Sequence, residues 1–147
     1  MSKYLYILFL FISVNLSAQE IQWVAIDNAE ELQKANPEKS LFIDVYTDWC
    51  GWCKKMDNTT FKDKEVVSFL NDYFIPVKFN AEQKEEVIFN NQKFNFMQVG
   101  RRGVHELAAA LLQGSLSYPS YVVMNSDGNI THIFKGYMSP NDLLNGF

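Results

Sequence analysis

The chain alternates between short continuous apolar runs and segments whose apolar residues recur every three or four positions. Residues 41–46 and 74–79 are apolar runs rich in β-branched and aromatic side chains, the pattern of strands buried on both faces. Because proline cannot donate to a sheet ladder, Pro76 is expected near the start of its strand or at a sheet edge. Residues 23–26 predict a further short strand.

Helical spacing predicts three helices between and after these strands. Asp27 is expected to cap the first helix, and Pro37 is expected to end it. Asp63 is expected to cap the second helix, and residues 103–113 are expected to form the third. The predicted inner positions of the first helix are Ala29, Leu32 and Ala35.

The remaining segments predict short antiparallel pairs. Residues 87–89 and 93–96 have the pattern of a small β-hairpin. This hairpin lies inside an insertion of about residues 81–100. Residues 121–124 and 130–134 predict a strand, a turn and a strand.

The order of these elements predicts an α/β fold class. Its centre is a mixed β-sheet flanked by helices, with parallel strands first and an antiparallel pair at the end. A last helix begins at Ser139-Pro140, and we expect it to be truncated by the end of the chain at Phe147. The length of residues 19–147 suits one domain.

Residues 1–18 have the pattern of a secretory signal peptide. Lys3 gives a basic start, residues 4–14 are apolar, and Ser17-Ala18 ends the segment with small residues. The alternative is a membrane anchor, but the apolar run is shorter than the roughly 20 residues that a spanning helix needs. We therefore expect cleavage near Ala18, no stable membrane insertion afterwards, and a periplasmic or extracellular protein.

Composition narrows the range of partners. The chain of 147 residues has a net charge of −4 and no basic stripe, so nucleic acid is not expected as a partner. The sequence has no flavin or nicotinamide signature, and we expect no cofactor besides a redox-active disulfide of the chain itself. Its two cysteines, Cys50 and Cys53, are too close in sequence to close a long stabilising loop.

Cys50 and Cys53 directly follow a predicted buried strand and open a predicted helix. The unpaired N–H groups and the dipole of a helix N-terminus stabilise an anion, so a Cys50 thiolate should be accessible near neutral pH. Cys53, expected to be the more buried of the two, is then placed to resolve a mixed disulfide formed at Cys50. Trp49 is expected to pack beside the pair and limit the access of water.

Three other roles of the cysteine pair remain open at this point. A purely structural disulfide would close a loop too short to remove much entropy from the unfolded chain. A zinc site needs about four ligands. His105 and His132, both expected at the surface, do not have the spacing of a zinc finger, so we expect no metal. An oxidising compartment disfavours a pair of inert core thiols.

The segment Asp44-Val-Tyr-Thr-Asp-Trp-Cys-Gly-Trp-Cys-Lys54 resembles the active-site segment of the thioredoxin superfamily. It is similar in particular to exported thioredoxin-like thiol:disulfide interchange proteins, which include the C-terminal domain of periplasmic disulfide reductases. The resemblance covers residues 23–147, with residues 117–122 as a second signature. It implies a thioredoxin-like three-layer sandwich. It also implies a cis peptide bond before Pro119, which lies against the cysteines, and a Tyr118 backbone that faces an extended substrate.

By the same resemblance, Asp44 is the family's buried acid, six residues before Cys50. A desolvated carboxylate has a raised pKa and could take the Cys53 proton during resolution. The alternative is a hydrogen-bonded strand residue without a chemical role.

The resemblance implies an exported thiol–disulfide oxidoreductase that reduces or isomerises protein disulfides. Protein disulfides and dithiols are then its substrates, and a membrane transporter or a thioredoxin-like protein is its electron donor. A dithiol oxidase that introduces disulfides, and a thioredoxin-fold chaperone or binding module, are the alternatives. The residues expected to bind the substrate are Trp49, Gly51, Trp52, Tyr118 and Pro119.

The chain departs from ordinary thioredoxin in three places. Trp52 replaces the proline between the cysteines, and it is either a substrate platform or a residue that packs locally. The insertion leads to Arg101 and Arg102, which either cover the active-site edge or are solvated charges at a helix start. No proline kinks the active-site helix, and residues 58–60 are expected to interrupt it instead.

Overall fold

The computed structural model describes residues 19–147, and the predicted signal peptide, residues 1–18, lies outside the described residues. The strands are β1 (Val24–Ala25), β2 (Ser40–Tyr46), β3 (Phe74–Asn80), β4 (Val87–Phe89), β5 (Gln92–Phe94), β6 (Phe96–Val99), β7 (Arg102–His105), β8 (Ser120–Met124) and β9 (Ile130–Lys135). The helices are α1 (Ile26–Ala35), α2 (Gly51–Asn58), α3 (Lys64–Tyr73), α4 (Glu106–Leu111) and α5 (Pro140–Leu144), and a 3-10 turn, Thr60–Lys62, separates α2 from α3. None of the helices found between residues 19 and 147 combines the length and the apolar character that a membrane crossing requires.

Five strands form a central mixed sheet in the order β1-β3-β2-β8-β9. β2 lies parallel to β3 and antiparallel to β8, and β9 continues the antiparallel side. This arrangement confirms the predicted sheet, with its parallel strands first in the chain. Pro76 precedes the part of β3 that pairs with β1, as expected for a residue that cannot donate to a ladder.

Alternate residues of β2 contribute to two cores on opposite faces of the sheet. On one face, Leu41, Ile43 and Val45 pack with residues of α1 and α4. On the other face, Phe42 packs with residues of α2, α3 and α5. The result is the three-layer sandwich that the resemblance implies. Because side chains alternate along a strand, Asp44 faces the same side as Phe42, toward α2.

The start of α1 differs from the prediction. Ala25, not Asp27, occupies the N-cap position, and no side chain caps the helix. The reason is that β1 runs directly into α1, which buries Ile26 in the first turn. α1 ends at Ala35, before Pro37, as predicted.

The inner face of α1 also differs from the prediction. Ala29 is buried, but Leu32 and Ala35 are exposed. Gln33 takes the inner position instead, and its side-chain amide donates to two backbone carbonyls, at 3.2 and 3.3 Å. A buried amide with both bonds made costs little, so a polar residue is stable where the apolar spacing predicts Leu32.

The predicted cap of α3 and the predicted start of α5 are confirmed. Asp63 accepts hydrogen bonds from two backbone N–H groups in the first turn of α3. Ser139 and Asp142 form a reciprocal capping box at the start of α5. The helix ends at Leu144, before the end of the chain at Phe147.

The structure extends the insertion to His105 and gives it two hairpins, where the sequence predicts one within about residues 81–100. β4 and β5 form the predicted hairpin, and β6 and β7 form a second. Since Gly103 and Val104 belong to β7, α4 begins at Glu106 rather than at residue 103. Gly103 is required in β7 because a Cβ there would lie 2.1 Å from the ring of Phe96.

His105 is wrongly predicted at the surface, because it is 0% exposed. Its Nδ1 accepts the backbone N–H of Leu107 at 3.2 Å and thereby caps α4. The ring proton therefore lies on Nε2, which donates to the Glu85 carbonyl at 3.0 Å. With the ring also edge-on to Phe79, His105 ties the insertion to the core. His132 is exposed, as predicted.

Candidate active site

Cys50 and Cys53 lie where the chain passes from β2 into α2, and a disulfide joins them. Cys50 is the N-cap residue of α2, and its Sγ accepts the backbone N–H of Cys53 at 3.1 Å. This N–H points at the sulfur that carries the negative charge when the disulfide is open, so the start of the helix favours a Cys50 thiolate. α2 ends at Asn58, which confirms the predicted interruption.

The two cysteines are equally buried, contrary to the expectation that Cys53 is the more buried. Each is 4% exposed. The reason is local, because the N–H of Cys50 donates to the Thr47 carbonyl at 3.2 Å and closes a turn that folds Cys50 inward. Gly51 beside it is exposed, and apart from its chain neighbours and the backbone of its own helix, no atom lies within 4 Å of the place where its Cβ would be. The approach to the disulfide is therefore open on the side of Gly51.

The loop before β8 brings the second signature to Trp49, the residue before Cys50. The Tyr118–Pro119 peptide bond is cis, as the resemblance implies, and Pro119 is buried. Its carbonyl accepts the N–H of Gly136 at 2.8 Å, which ties the loop to the end of β9. The ring of Tyr118 meets the ring of Trp49 edge to face, with centroids 6.0 Å apart.

Trp49 is 52% exposed and is oriented by two parts of the insertion. Its indole N–H donates to Glu82 Oε1 at 3.0 Å. The guanidinium of Arg102 lies over the ring, 4.6 Å from its centre. Arg102 thus covers the active-site edge, which is one of the two roles predicted for the arginines. Arg101 lies in the turn between β6 and β7 and not at a helix start.

Trp52 projects from the first turn of α2 and is 56% exposed. Its ring lies 5.7 Å from that of Tyr137. The ammonium of Lys55 lies 4.9 Å from the Trp52 ring and 4.7 Å from the Tyr137 ring. Trp52 therefore packs locally and still presents a large open face, so the structure is compatible with both predicted roles.

Asp44 is buried in the middle of the sheet, 2% exposed. Its Oδ2 accepts a hydrogen bond from the Lys78 ammonium at 2.6 Å, and the same ammonium lies 2.5 Å from Asp57 Oδ1. Asp44 Oδ1 has no hydrogen-bond partner in the part of the chain that the structure describes. Oδ2 is thus paired, as expected if Asp44 has only a structural role, whereas Oδ1 is free to take a proton.

Burial raises the pKa of Asp44 to about 6, against the opposing attraction of the Lys78 ammonium. Repulsion from Asp57 acts in the same direction as burial. Burial alone would lower the pKa of Lys78, but the carboxylates of Asp44 and Asp57 outweigh it and raise that pKa. A carboxyl that titrates near neutral pH is suited to accepting and returning a proton.

Sequence reasoning missed Lys78 and Asp57. Lys78 does leave a signal, because it is the one charged residue in the apolar run 74–79, as Asp44 is in the run 41–46. Opposite charges in two adjacent buried strands are expected to pair. Asp57 leaves no such signal, since a charged residue in a helix usually faces solvent. Within residues 19–147, no three His, Cys, Asp or Glu side chains come together as metal ligands.

The sequence and the fold are similar to those of known proteins. The sequence model of the thioredoxin-like domain family matches residues 26–145. The thiol:disulfide interchange protein DsbD of Haemophilus influenzae is 31% identical over 87 residues, which are 56% of this chain and 15% of that protein. The protein of the same name from Vibrio cholerae is 37% identical over 62 residues, 39% of this chain and 10% of that one. The chain thus matches only a small part of the length of these relatives.

Solved structures with the same fold include a putative disulphide isomerase from Bacteroides thetaiotaomicron, with a TM-score of 0.61 and 22% identity over 88% of this chain and 93% of that one. A thioredoxin from Thermus thermophilus has a TM-score of 0.63 and 15% identity over 86% and 84%. The oxidised C-terminal domain of Neisseria meningitidis DsbD has a TM-score of 0.52 and 22% identity over 80% and 84%. At such identities the likeness concerns the fold.

Proposed function

Because this chain belongs to the thioredoxin-like domain family, we propose that it is an exported thiol–disulfide oxidoreductase that reduces or isomerises protein disulfides. The observation that carries the proposal is the Cys50–Cys53 disulfide at the start of α2, with the buried carboxyl of Asp44 on the side of the sheet that faces α2. Similarity to proteins named for thiol:disulfide interchange supports it.

The first step is attack by the Cys50 thiolate on one sulfur of a substrate disulfide. A new S–S bond forms between Cys50 and that sulfur, the substrate's S–S bond breaks, and the other substrate sulfur leaves as a thiolate. The Cys53 N–H that donates to Cys50 Sγ stabilises the attacking anion. The open side of Gly51 leaves room for the substrate chain.

The second step is resolution by Cys53. Its thiol loses a proton, its sulfur bonds to Cys50 Sγ, and the bond from Cys50 to the substrate breaks, which releases a second substrate thiolate. Two electrons have then passed to the substrate, and the Cys50–Cys53 disulfide is the oxidised product. Asp44 takes the Cys53 proton in this proposal, supported by its raised pKa and by the lack of a partner for Oδ1 within residues 19–147.

The substrate is proposed to lie across the exposed surface around the disulfide. Trp49 and Trp52 offer apolar faces beside the cysteines. An extended substrate segment would pair with the backbone of Tyr118, beside the wall formed by Pro119.

A reductant needs a source of electrons to open its disulfide again. The chemistry requires a dithiol donor, which in an oxidising compartment means a membrane transporter or a thioredoxin-like protein. Export itself is proposed from residues 1–18.

Equilibrium of the purified protein with glutathione tests the proposed direction. A reduction potential of about −270 mV marks a reductant, and one of about −120 mV marks an oxidant. We expect a value toward the reductant end, together with catalysed reduction of insulin disulfides. A value at the oxidant end would favour a dithiol oxidase. Full function of Cys50→Ser in the host would instead favour a binding module.

A further inference from the structure

Two pairs of a cation and an aromatic ring flank the disulfide. Arg102 lies over the ring of Trp49, the residue before Cys50, at 4.6 Å. Lys55 lies 4.9 Å from the ring of Trp52, the residue before Cys53. Each cation is thus held against the side chain that adjoins one of the two sulfurs.

The two pairs lie on different sides of the strand that leads to the cysteines. Arg102 reaches Trp49 from the insertion that follows β3, whereas Tyr137, which packs on Trp52, follows β9. β3 and β9 are on opposite sides of β2 in the sheet order. A chain that crosses the disulfide therefore meets a cation on either side.

The two tryptophans have the features of a contact surface. Trp49 and Trp52 are each more than half exposed, although other side chains fix their rings in place. Large aromatic side chains that are both ordered and exposed mark sites where proteins bind other proteins. Because the rings are already fixed, binding costs little side-chain entropy.

The charge at this surface is opposite to the charge of the whole molecule. The chain carries a net charge of −4, yet neither Arg102 nor Lys55 forms an ion pair with a carboxylate anywhere in residues 19–147. Their neighbours Arg101 and Lys54 are exposed cations as well.

The carboxylates of the same region leave these cations available. Glu82 accepts the indole N–H of Trp49 and keeps its negative charge, whereas Asp57 is paired with Lys78. Asp48 is exposed, and after burial it is the main cause that raises the pKa of the Tyr46 hydroxyl, so its carboxylate lies nearby. The four cations named above therefore outnumber the two carboxylates, Glu82 and Asp48, that form no ion pair within residues 19–147.

We propose that this surface selects protein disulfides whose cysteine is flanked by aspartate or glutamate in an extended segment. The inference rests on the proposed function and names its substrate class. Arg102, fixed over Trp49, presents its donors to a substrate carboxylate on one side of the cysteine. Lys55 provides a second positive charge on the other side. Since these charges are at the rim, their main effect is on the rate of association.

Two synthetic peptides with the same disulfide test the proposal, one with aspartate and one with lysine on both sides of the cysteine. The measured quantity is the second-order rate constant for reduction of each peptide by the reduced full-length protein. We expect the aspartate peptide to react about tenfold faster at low ionic strength, and the preference to shrink toward unity at about 0.5 M salt.

Substitutions at the two cations locate the effect. Arg102→Gln and Lys55→Gln should each lower the preference about threefold, and Arg102→Glu combined with Lys55→Glu should invert it. Arg102→Lys keeps the charge and should keep the preference. The matched control is Lys34→Gln, because Lys34 lines a cavity of about 590 Å³ together with the turn after β8, at the end of the sheet opposite the cysteines.

The possible results separate the two proposals. Equal rates for both peptides with the wild-type protein would overturn the substrate class while leaving the oxidoreductase proposal in place. An equal loss for both peptides in Arg102→Gln would also overturn it, since Arg102 would then only orient Trp49. No reaction with either peptide would contradict the oxidoreductase function itself.

Discussion

At the scale of single residues, burial raises the pKa of Asp44, and the ammonium of Lys78 limits that rise. It lies between Asp44 and Asp57, and the ring centres of Trp23 and Tyr46 are 4.8 and 5.2 Å away. A cation shared among two carboxylates and aromatic faces stabilises each carboxylate less than a cation devoted to one. Burial therefore outweighs the shared cation, and Asp44 stays able to bind a proton near neutral pH.

Asp44→Asn should remove the proton acceptor and leave the fold intact. We expect resolution of the mixed disulfide to slow by at least about tenfold between about pH 6 and 8, because general-base catalysis is lost. Stopped-flow kinetics of mixed-disulfide decay measures this step apart from the attack by Cys50. The wild-type rate should change slope near the Asp44 pKa of about 6. Rates that are unchanged in the variant would refute the base role.

The same substitution should stabilise the protein at neutral pH. The pKa of Asp44 is about 6 in the fold against 3.8 for an ordinary aspartate. The folded state therefore holds the proton more tightly, and stability falls as pH rises through this window. At about 1.4 kcal/mol per pKa unit, Asp44→Asn should raise the free energy of unfolding by about 1–3 kcal/mol at about pH 8 and by almost nothing at about pH 4. Urea unfolding of the oxidised protein at both pH values checks this; a difference independent of pH would contradict it.

Asp57→Asn should lower the pKa of Asp44. The substitution removes a carboxylate that repels Asp44, and Lys78 then forms an ion pair with Asp44 only. The pH at which resolution changes slope should therefore move down by about half a unit to one unit. Asp127→Asn is the control, because Asp127 lies in the turn after β8 at the far end of the sheet. A slope change that stays in place, or moves up, would show that Asp57 does not act on Asp44.

Sequence alone predicts the chemistry of some of these residues. Cys50 and Cys53 are predicted by their position after a strand, and Asp44 stands out as an acid in an apolar run. Asp57 could not be predicted, because its role depends on which helix residue reaches the end of the Lys78 side chain. That reach is set by the packing of α2 on the sheet, which the sequence pattern does not specify.

At the scale of elements, the hairpin of β6 and β7 connects the insertion to the active site. The backbone N–H of His105 donates to the Ala81 carbonyl at 2.7 Å, and the N–H of Glu106 donates to the Asn95 carbonyl at 2.9 Å. These bonds anchor the base of the hairpin, and Arg102 extends from its turn to Trp49.

Gly103→Ala should destabilise this hairpin. The new Cβ would lie 2.1 Å from the Phe96 ring and 2.5 Å from the Met97 carbonyl oxygen, so strands or side chains must shift. We expect a loss of about 1–3 kcal/mol in the free energy of unfolding, the usual cost of overpacking. Urea unfolding checks the value. Gly51→Ala is the control, since no atom outside its chain neighbours and its own helix backbone lies within 4 Å of its Cβ position, and alanine favours a helix. Equal stability of Gly103→Ala and wild type would contradict the close contact with Phe96.

The second hairpin shows why this part of the fold is hard to predict. Most of β6 is exposed, so it lacks the alternation by which a half-buried strand is recognised. Val104, Leu107, Ala108 and Leu111 are all buried at helical spacing, although Val104 belongs to β7. Because Val104 is buried just before α4, it makes the helical spacing of apolar residues seem to begin earlier than the helix does. The N-cap formed by His105 marks where α4 begins.

At the scale of the whole molecule, one end of the sheet gathers the site. β2 ends there before the cysteines, β3 ends before Glu82, β8 begins after Pro119, and β9 ends before Tyr137. The apolar runs predict these strands and their order, and hence which segments share an edge. They do not predict which side chains from those segments touch. That depends on the insertion, whose path is fixed by contacts distant in sequence such as Trp49 with Glu82.

In the proposed reaction, Cys50 exchanges disulfides with the substrate and Cys53 resolves the mixed disulfide. The most direct test uses Cys53→Ser, mixed in reduced form with a disulfide-bonded substrate protein, with mass spectrometry of the products. We expect a stable adduct in which the substrate is linked to Cys50, and no adduct with Cys50→Ser under the same conditions. A Cys53→Ser protein that forms no adduct, or an adduct that forms equally well without Cys50, would contradict the proposed reaction.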